Sequence, residues 1–219
     1  DLRIDKRTTL SILRIGFPAG LQMAITSFSN VFVQSYINQF GSSCMAGWTT
    51  YGKLDKFCLL PIQSLGLSIT TFVGQNLGAK KMERARKGTA YAVILSIGAA
   101  LVLMMPVMAA APMLATLFTK DPEVIAYGVR FIRLMMPFYV AISFNQILGN
   151  ALRGAGNSVV PMILMMSSFI VFRQIYLFAI SHIYNTITSV ALGYPFGWIL
   201  CSVLLLIYYG KMGLTVKKE

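Results

Sequence analysis

Acidic and titratable residues are scarce in this chain. Of its 219 residues 12% are charged, with 7 Asp and Glu against 19 Lys and Arg, 1 His and 3 Cys. A soluble domain carries about 25% charged residues. A composition that is 56% hydrophobic with a mean hydropathy of +0.68 therefore reads as a membrane protein. One histidine, and three cysteines (Cys44, Cys58, Cys201) without CxxC spacing, supply no zinc or iron–sulfur ligand set. No metal or cofactor is expected, and the cysteines read as packing residues. The formal net charge of +12 would point to nucleic acid, but the basic residues sit in short connections and tails beside long apolar runs, which excludes that partner. Gly74-Gln-Asn-Leu-Gly-Ala-Lys80 lacks the GxxxxGK[ST] spacing and the following strand of a phosphate loop, so no ATPase is expected. The opening Asp1-Leu-Arg-Ile-Asp-Lys-Arg7 has neither an initiator Met nor a signal-peptide apolar region, and we expect the chain to begin inside a longer natural protein.

What the sequence does contain is long apolar stretches, at about residues 10–39, 44–76, 88–118, 122–152, 159–181 and 187–209. Each exceeds the roughly 20 residues that cross a bilayer core. The expected fold class is all-α, a polytopic membrane protein with six transmembrane helices. Arg3, Lys6, Arg7 and Arg14 precede or open the first stretch, and Lys80, Lys81, Arg84, Arg86 and Lys87 follow the second. Arg153 follows the fourth, and Lys211, Lys217 and Lys218 close the chain. All fall at one face. Lys120 alone lies in a connection of the other, so the positive-inside rule puts both ends of the segment in the cytoplasm of a multi-pass plasma-membrane protein. Asp121, Pro122 and Glu123 read as the N-cap, first residue and acidic first turn of a helix. Pro18, Pro61, Pro106 and Pro137 lie inside apolar stretches, where each favours a kink.

Charges at membrane depth are costly and usually face a partner or water. Lys53, Asp55 and Lys56 fall within about 10 Å of the middle of the second stretch at 1.5 Å per residue. Arg130 and Arg133 share a face of the fourth, and Arg173 lies in the fifth. The alternation of spans puts all six in the outer half, five cations against the single carboxylate of Asp55. That carboxylate can pair with Lys56 or with a cation on another helix, and Arg130 either joins the group or snorkels to the interface. Gln22, Thr26, Asn30, Gln34 and Asn38 recur every four residues along the first stretch, as on a helix that lines a wet passage or packs against polar helices. Ser27 and Ser29 widen this stripe and favour the wet wall. His182 reads as interfacial, and the 13 methionines as soft packing residues.

Several runs resemble the multidrug and toxic compound extrusion (MATE) family, and specifically its second six-helix half. They are Gly16-Phe-Pro-Ala-Gly20, Lys53-Leu-Asp-Lys-Phe57 with Leu60-Pro61, and Thr71-Phe-Val-Gly-Gln-Asn-Leu-Gly-Ala79. Leu152-Arg-Gly-Ala-Gly-Asn-Ser158 with Pro161, Arg173, and Tyr194-Pro195 to Trp198 complete the match, which spans nearly the whole chain. Its most specific parts are Gly74, Gln75, Asn76, Gly78 and Ala79 before a basic connection, paired with Arg153 and Gly154. The resemblance implies a twelve-helix exporter of organic compounds driven by Na+ or H+, of which residues 1–219 form the C-terminal lobe; the partner would be the N-terminal lobe of the same natural protein. Some members bind the coupling cation through an acid in the first helix of this half. This chain has Thr26 and Ser27 there instead, which leaves Asp55 as the lobe's ionic candidate or puts coupling in the other lobe. The expected coupling and cavity charges are Asp55, Lys53, Lys56, Arg133 and Arg173, with Gln22, Thr26, Asn30 and Gln34 on the polar cavity wall. The excess of cations suits an anionic or zwitterionic small organic substrate. A flippase of lipid-linked saccharide and a non-transporting membrane subunit, its charges serving only to pair helices, are the alternatives.

Overall fold

The computed structural model describes residues 5–214, so Arg3, Lys217 and Lys218 of the charge bias lie outside the described residues. The described chain is helical, in the order α1 Lys6–Asn38, α2 Ser42–Gly78, α3 Met82–Ala109, α4 Ala111–Thr116, α5 Pro122–Met135, α6 Tyr139–Gly154, α7 Val159–Met166, α8 Arg173–Ile183, α9 Ile187–Ala191 and α10 Gly193–Met212. A 3-10 turn, Met136–Phe138, joins α5 to α6, and a π-helical segment, Ser167–Phe172, joins α7 to α8. Five helical stretches, Ser42–Gly78, Met82–Ala109, Pro122–Gly154, Val159–Ile183 and Ile187–Met212, are long and apolar enough to cross a membrane. The sixth expected span, α1, is long enough at 33 residues but less apolar, because Gln22, Thr26, Ser27, Ser29, Asn30 and Gln34 interrupt it.

The breaks follow the chemistry of proline and hydroxyl side chains. Pro112 stands in the first turn of α4 and cannot continue the hydrogen-bond ladder of α3, so the stretch expected as one helix over 88–118 is two. Pro137 sits in the 3-10 turn between α5 and α6. In the π segment the hydroxyls of Ser167 and Ser168 both donate to the carbonyl of Leu164 at 2.9 Å, an insertion into the ladder that accompanies the wide turn. The basic connection expected over 78–87 is mostly helix: α3 starts at Met82, so Arg84, Arg86 and Lys87 occupy its first turns. Asp121 caps α5 by accepting from the backbone N–H groups of Glu123 and Val124, with Pro122 next to it.

α2 runs through the centre, packed on α3, α5 and α6. Its contact with α5 is close because Gly47 lies against Tyr127 Cβ and the backbone of Val124 and Gly128, and small residues let membrane helices approach this way. Cys58, Ile62, Phe131, Ile132, Met135 and Tyr139 form the buried centre. The exterior is apolar too: Phe17 is 69% exposed, Val102 71% and Leu67 69%, as suits a body surrounded by lipid or by further helices. α1 lies at one side, against α7, the π segment and α2.

α2 and α6 end at the basic face in the same turn. In α2 the N–H of Lys80 bonds the Leu77 carbonyl (2.9 Å) and that of Lys81 the Asn76 carbonyl (2.8 Å); in α6 Gly156 bonds Arg153 (2.9 Å) and Asn157 bonds Leu152 (3.0 Å). This double bond pattern needs a left-handed residue one past the cap, a place where glycine is favoured. Gly156 supplies it at φ 81, whereas Lys80 adopts it at φ 58 against its Cβ. Lys80→Gly is therefore expected to stabilise the full-length protein by about 1 kcal/mol. Thermal unfolding in detergent checks this, and an unchanged or lowered midpoint would count against the strain.

Candidate functional site

Asp55 and Tyr51 stand one turn apart on α2, and the 3-10 turn at Pro137 leads directly into Tyr139, which α6 buries fully against them. Both phenols donate to the same oxygen: Tyr51 Oη to Asp55 Oδ1 at 3.0 Å, and Tyr139 Oη to Asp55 Oδ1 as well. Among the described residues no Lys or Arg forms an ion pair with Asp55, so the expected pairing with Lys56 or a distant cation is replaced by two phenols. The reason is register. Lys56 follows Asp55 by one residue and so points to the exposed side of α2, and Lys53 is exposed with its Nζ 4.9 Å from the Phe118 ring. Asp55 as a whole residue is half-buried.

Arg173 is the opposite case, a cation 3% exposed with no carboxylate beside it among the described residues. Its Nη2 donates to Ser29 Oγ (2.8 Å) and Asn30 Oδ1 (3.0 Å), the guanidinium lies 4.5 Å from the centre of the Tyr194 ring, and Nε has no partner. The π segment explains the burial. Met165 and Ser168 face inward, and the next inward residues are Arg173 and Leu177, so the step of five from Ser168 to Arg173 is where the wide turn adds a residue. A regular helix would have turned Arg173 aside.

Asp55 and Arg173 are linked through aromatic side chains and not by direct contact. Trp48 lies 5.2 Å from Tyr51 and 5.4 Å from Tyr194, centroid to centroid; Trp198 lies 6.1 Å from Tyr194 and 6.3 Å from Tyr139. Trp48, Tyr194 and Trp198 are partly exposed, so these rings form a wall with a carboxylate at one end and a guanidinium at the other. Sequence reasoning missed the wall. The four-residue step from Tyr51 to Asp55 was a readable signal, but the approach of Tyr139, 84 residues away, was not.

The polar stripe of α1 divides. Gln22 and Ser29 turn into the lobe, Gln22 taking a bond from Arg153 Nη2 to its Oε1 at 2.8 Å. Thr26 bonds the Gln22 carbonyl of its own helix (2.7 Å), whereas Asn30, Gln34 and Asn38 are exposed. The stripe thus pairs helices from Gln22 to Asn30 and leaves an exposed polar edge at Gln34 and Asn38. Arg153, expected at the basic face after the fourth stretch, is half-buried and also donates to Asn150 Oδ1 (3.0 Å). The motif residues around it are packing and cap elements: Gly74 meets the Gly154 carbonyl, the Asn76 side chain bonds the Phe72 carbonyl (2.7 Å), Gly78 and Ala79 close α2, and Gln75 is exposed. Arg133 is exposed and, with Arg130, lines a separate recess of ≈ 690 Å³ between α4, α5 and α9, where Arg130 Nη2 bonds Thr188 Oγ1. The charges expected to share the outer half of the membrane therefore lie in three different surroundings.

Comparisons with known proteins agree with this architecture. The chain is 25% identical over its whole length to the probable multidrug resistance protein YoeA of Bacillus subtilis, covering 47% of that protein. It is 29% identical over 130 residues to a FAD transporter of Shewanella oneidensis, a match covering 58% of this chain and 28% of that protein. A solved MOP superfamily transporter from Pyrococcus furiosus superposes with a TM-score of 0.88 at 22% identity, covering 99% of this chain and 49% of that one. The chain thus spans about half the length of the curated relatives it matches. The MatE family profile matches residues 18–179, nearly three quarters of the chain, and with a multi-pass helical fold that superposes end to end on half of a transporter, the chain belongs to the MATE family.

Proposed function

We propose that this chain is the C-terminal lobe of a secondary active exporter that moves organic compounds across the plasma membrane by alternating access, in exchange for Na+ or H+. Both ends of the segment face the cytoplasm in this reading, as the charge bias requires. The observation that carries it is the Asp55 site. A carboxylate at membrane depth without a cationic partner is costly, and two phenol donors offset that cost only in part. Such a group is suited to take up and release a proton, or a small hard cation that would use the same carboxylate and phenol oxygens. A second lobe would close the other side of the wall formed by Trp48, Tyr194 and Trp198, near the midplane between the two halves. The buried Arg173 guanidinium and the exposed Lys53 and Lys56 favour an anionic or zwitterionic aromatic substrate; the FAD transporter among the relatives is consistent with that class.

The test is transport by the full-length protein in proteoliposomes under imposed Na+ or H+ gradients, with a flavin and a cationic dye as substrates. One of the gradients is expected to drive flavin uptake or release, and the 219-residue chain alone is expected to give none, because it supplies one wall of the cavity. Gradient-driven transport by the chain alone would contradict the half-transporter reading. Transport of the dye in preference to the flavin would contradict the substrate class.

A further inference from the structure

A groove of ≈ 600 Å³ opens at the basic end between α3, α6 and α10, with no residue of α1 in its lining. Along the helices its walls are apolar: Val93 and Ile94 from α3, Phe144 and Leu148 from α6, and Leu206 from α10. At its mouth stand Arg86 and Lys211, both exposed. Gly213, left-handed at φ 59, brings its backbone against the Arg86 guanidinium, so closely that a Cβ there would lie 2.9 Å from Nη2. Among the described residues neither cation has a hydrogen-bond or ion-pair partner, and the one acid of this connection, Glu83, is taken by Lys87 at 2.8 Å.

The spacing matches an amphiphile. Arg86 lies in the first turns of α3, and Val93 and Ile94 follow seven and eight residues later, about 10–12 Å deeper along the helix axis. Two exposed cations at the rim, without an ion-pair partner among the described residues, with an apolar channel below them offer a phosphate its counter-charges and an acyl chain its wall. A soluble anion would use only the rim, and a cationic amphiphile would be repelled by it. Basic pockets between membrane helices recognise anionic headgroups in this way, and a guanidinium can hold a phosphate through two parallel bonds.

We propose that this groove is a binding site for an anionic phospholipid, its phosphate on Arg86 and Lys211 and one acyl chain against Val93, Ile94, Phe144, Leu148 and Leu206. The site is separate from the Asp55 and Arg173 wall and does not depend on the transport reading. A lipid held there ties α3 to α10 across α6.

The test uses the full-length protein in neutral detergent, titrated with phosphatidylglycerol and with phosphatidylcholine of the same acyl chains and read by native mass spectrometry. Phosphatidylglycerol is expected to be retained preferentially. Arg86→Gln with Lys211→Gln should weaken it by roughly twenty-five-fold, from about fivefold per surface cation, and leave phosphatidylcholine unchanged. Lys80→Gln with Lys81→Gln removes the same charge outside the groove and should match wild type; an equal loss there would reduce the site to diffuse attraction and overturn the proposal. Equal retention of the two lipids by wild type would overturn it as well. Glycerol phosphate at equal concentration should not displace the lipid, and displacement would reassign the rim to a free phosphate ester. Leu206→Trp fills the channel without touching the charges. It should also weaken phosphatidylglycerol, so the apolar half is tested even if the double glutamine variant folds poorly, and wild-type retention by Leu206→Trp would exclude the acyl chain from the groove.

Discussion

Asp55→Asn in the full-length protein is expected to insert and fold normally and to lose gradient-driven transport by at least about tenfold, roughly 1.4 kcal/mol of coupling. The substitution keeps side-chain volume and leaves an oxygen that can accept from Tyr51 and Tyr139, which now approach Oδ1. What it removes is the charge. Hydrogen bonds to an ionised acceptor are about twice as strong as neutral ones, so the two phenols lose strength but keep a partner. Removing a half-buried charge that has no ion pair also relieves its desolvation cost, so stability should hold or rise. A structural Asp55 and a coupling Asp55 thus predict different things. The first lowers the melting midpoint and spares transport per folded molecule; the second spares the midpoint and abolishes the response to a Na+ or H+ gradient. Asp55→Glu, which keeps the charge one methylene further out, should restore part of that response. Wild-type transport by Asp55→Asn, with unchanged pH and Na+ dependence, would move coupling to the other lobe.

Features governed by local rules could be read from the sequence. The Asp121 cap, the long apolar stretches and the exposed basic connections obey propensity and the bilayer's dislike of charge, and the structure bears out the cap and the membrane-spanning helices. Asp55 stood out because one carboxylate at membrane depth needs a reason. Its surroundings did not, because charge arithmetic looks for ion pairs and cannot see that Tyr139 reaches it from another helix. The burial of Arg173 was not legible for a different cause. Helical periodicity assumes 3.6 residues per turn, and the π segment at Ser167–Phe172 breaks that count just before the arginine. The four-residue stripe of α1 ran into the same limit. Spacing identified a polar face, but whether Gln22 is buried depends on Arg153, 131 residues away. Hydropathy also counted α1 as a span like the others, although its polar stripe makes it the least apolar of the long helices.

Gly154→Ala is expected to be strongly damaging for so small a change. A Cβ at that position would collide with the backbone carbonyl oxygen of Thr70 and lie 3.1 Å from its carbonyl carbon and Cα. Backbone atoms cannot rotate away as a side chain would, so α2 and α6 must separate. That separation reaches further, because Thr70 Oγ1 donates to the Asn150 carbonyl at 3.1 Å and Asn150 accepts from Arg153. Overpacking of a fitted contact costs about 1–3 kcal/mol, and loosened hydrogen bonds between buried groups add to it. Two neighbouring glycines provide the scale. At Gly74 a Cβ would meet the Gly154 carbonyl oxygen at 3.3 Å, a tight contact with one atom, so Gly74→Ala should cost less. At Gly78 nothing lies within 4 Å, and alanine there should be neutral or slightly stabilising because it favours the helix. Melting midpoints of the three full-length variants should therefore fall in the order Gly78→Ala above Gly74→Ala above Gly154→Ala. If Gly154→Ala melts with Gly78→Ala, the two helices do not meet backbone to backbone, and the glycine of the Leu-Arg-Gly turn has some other use than close packing.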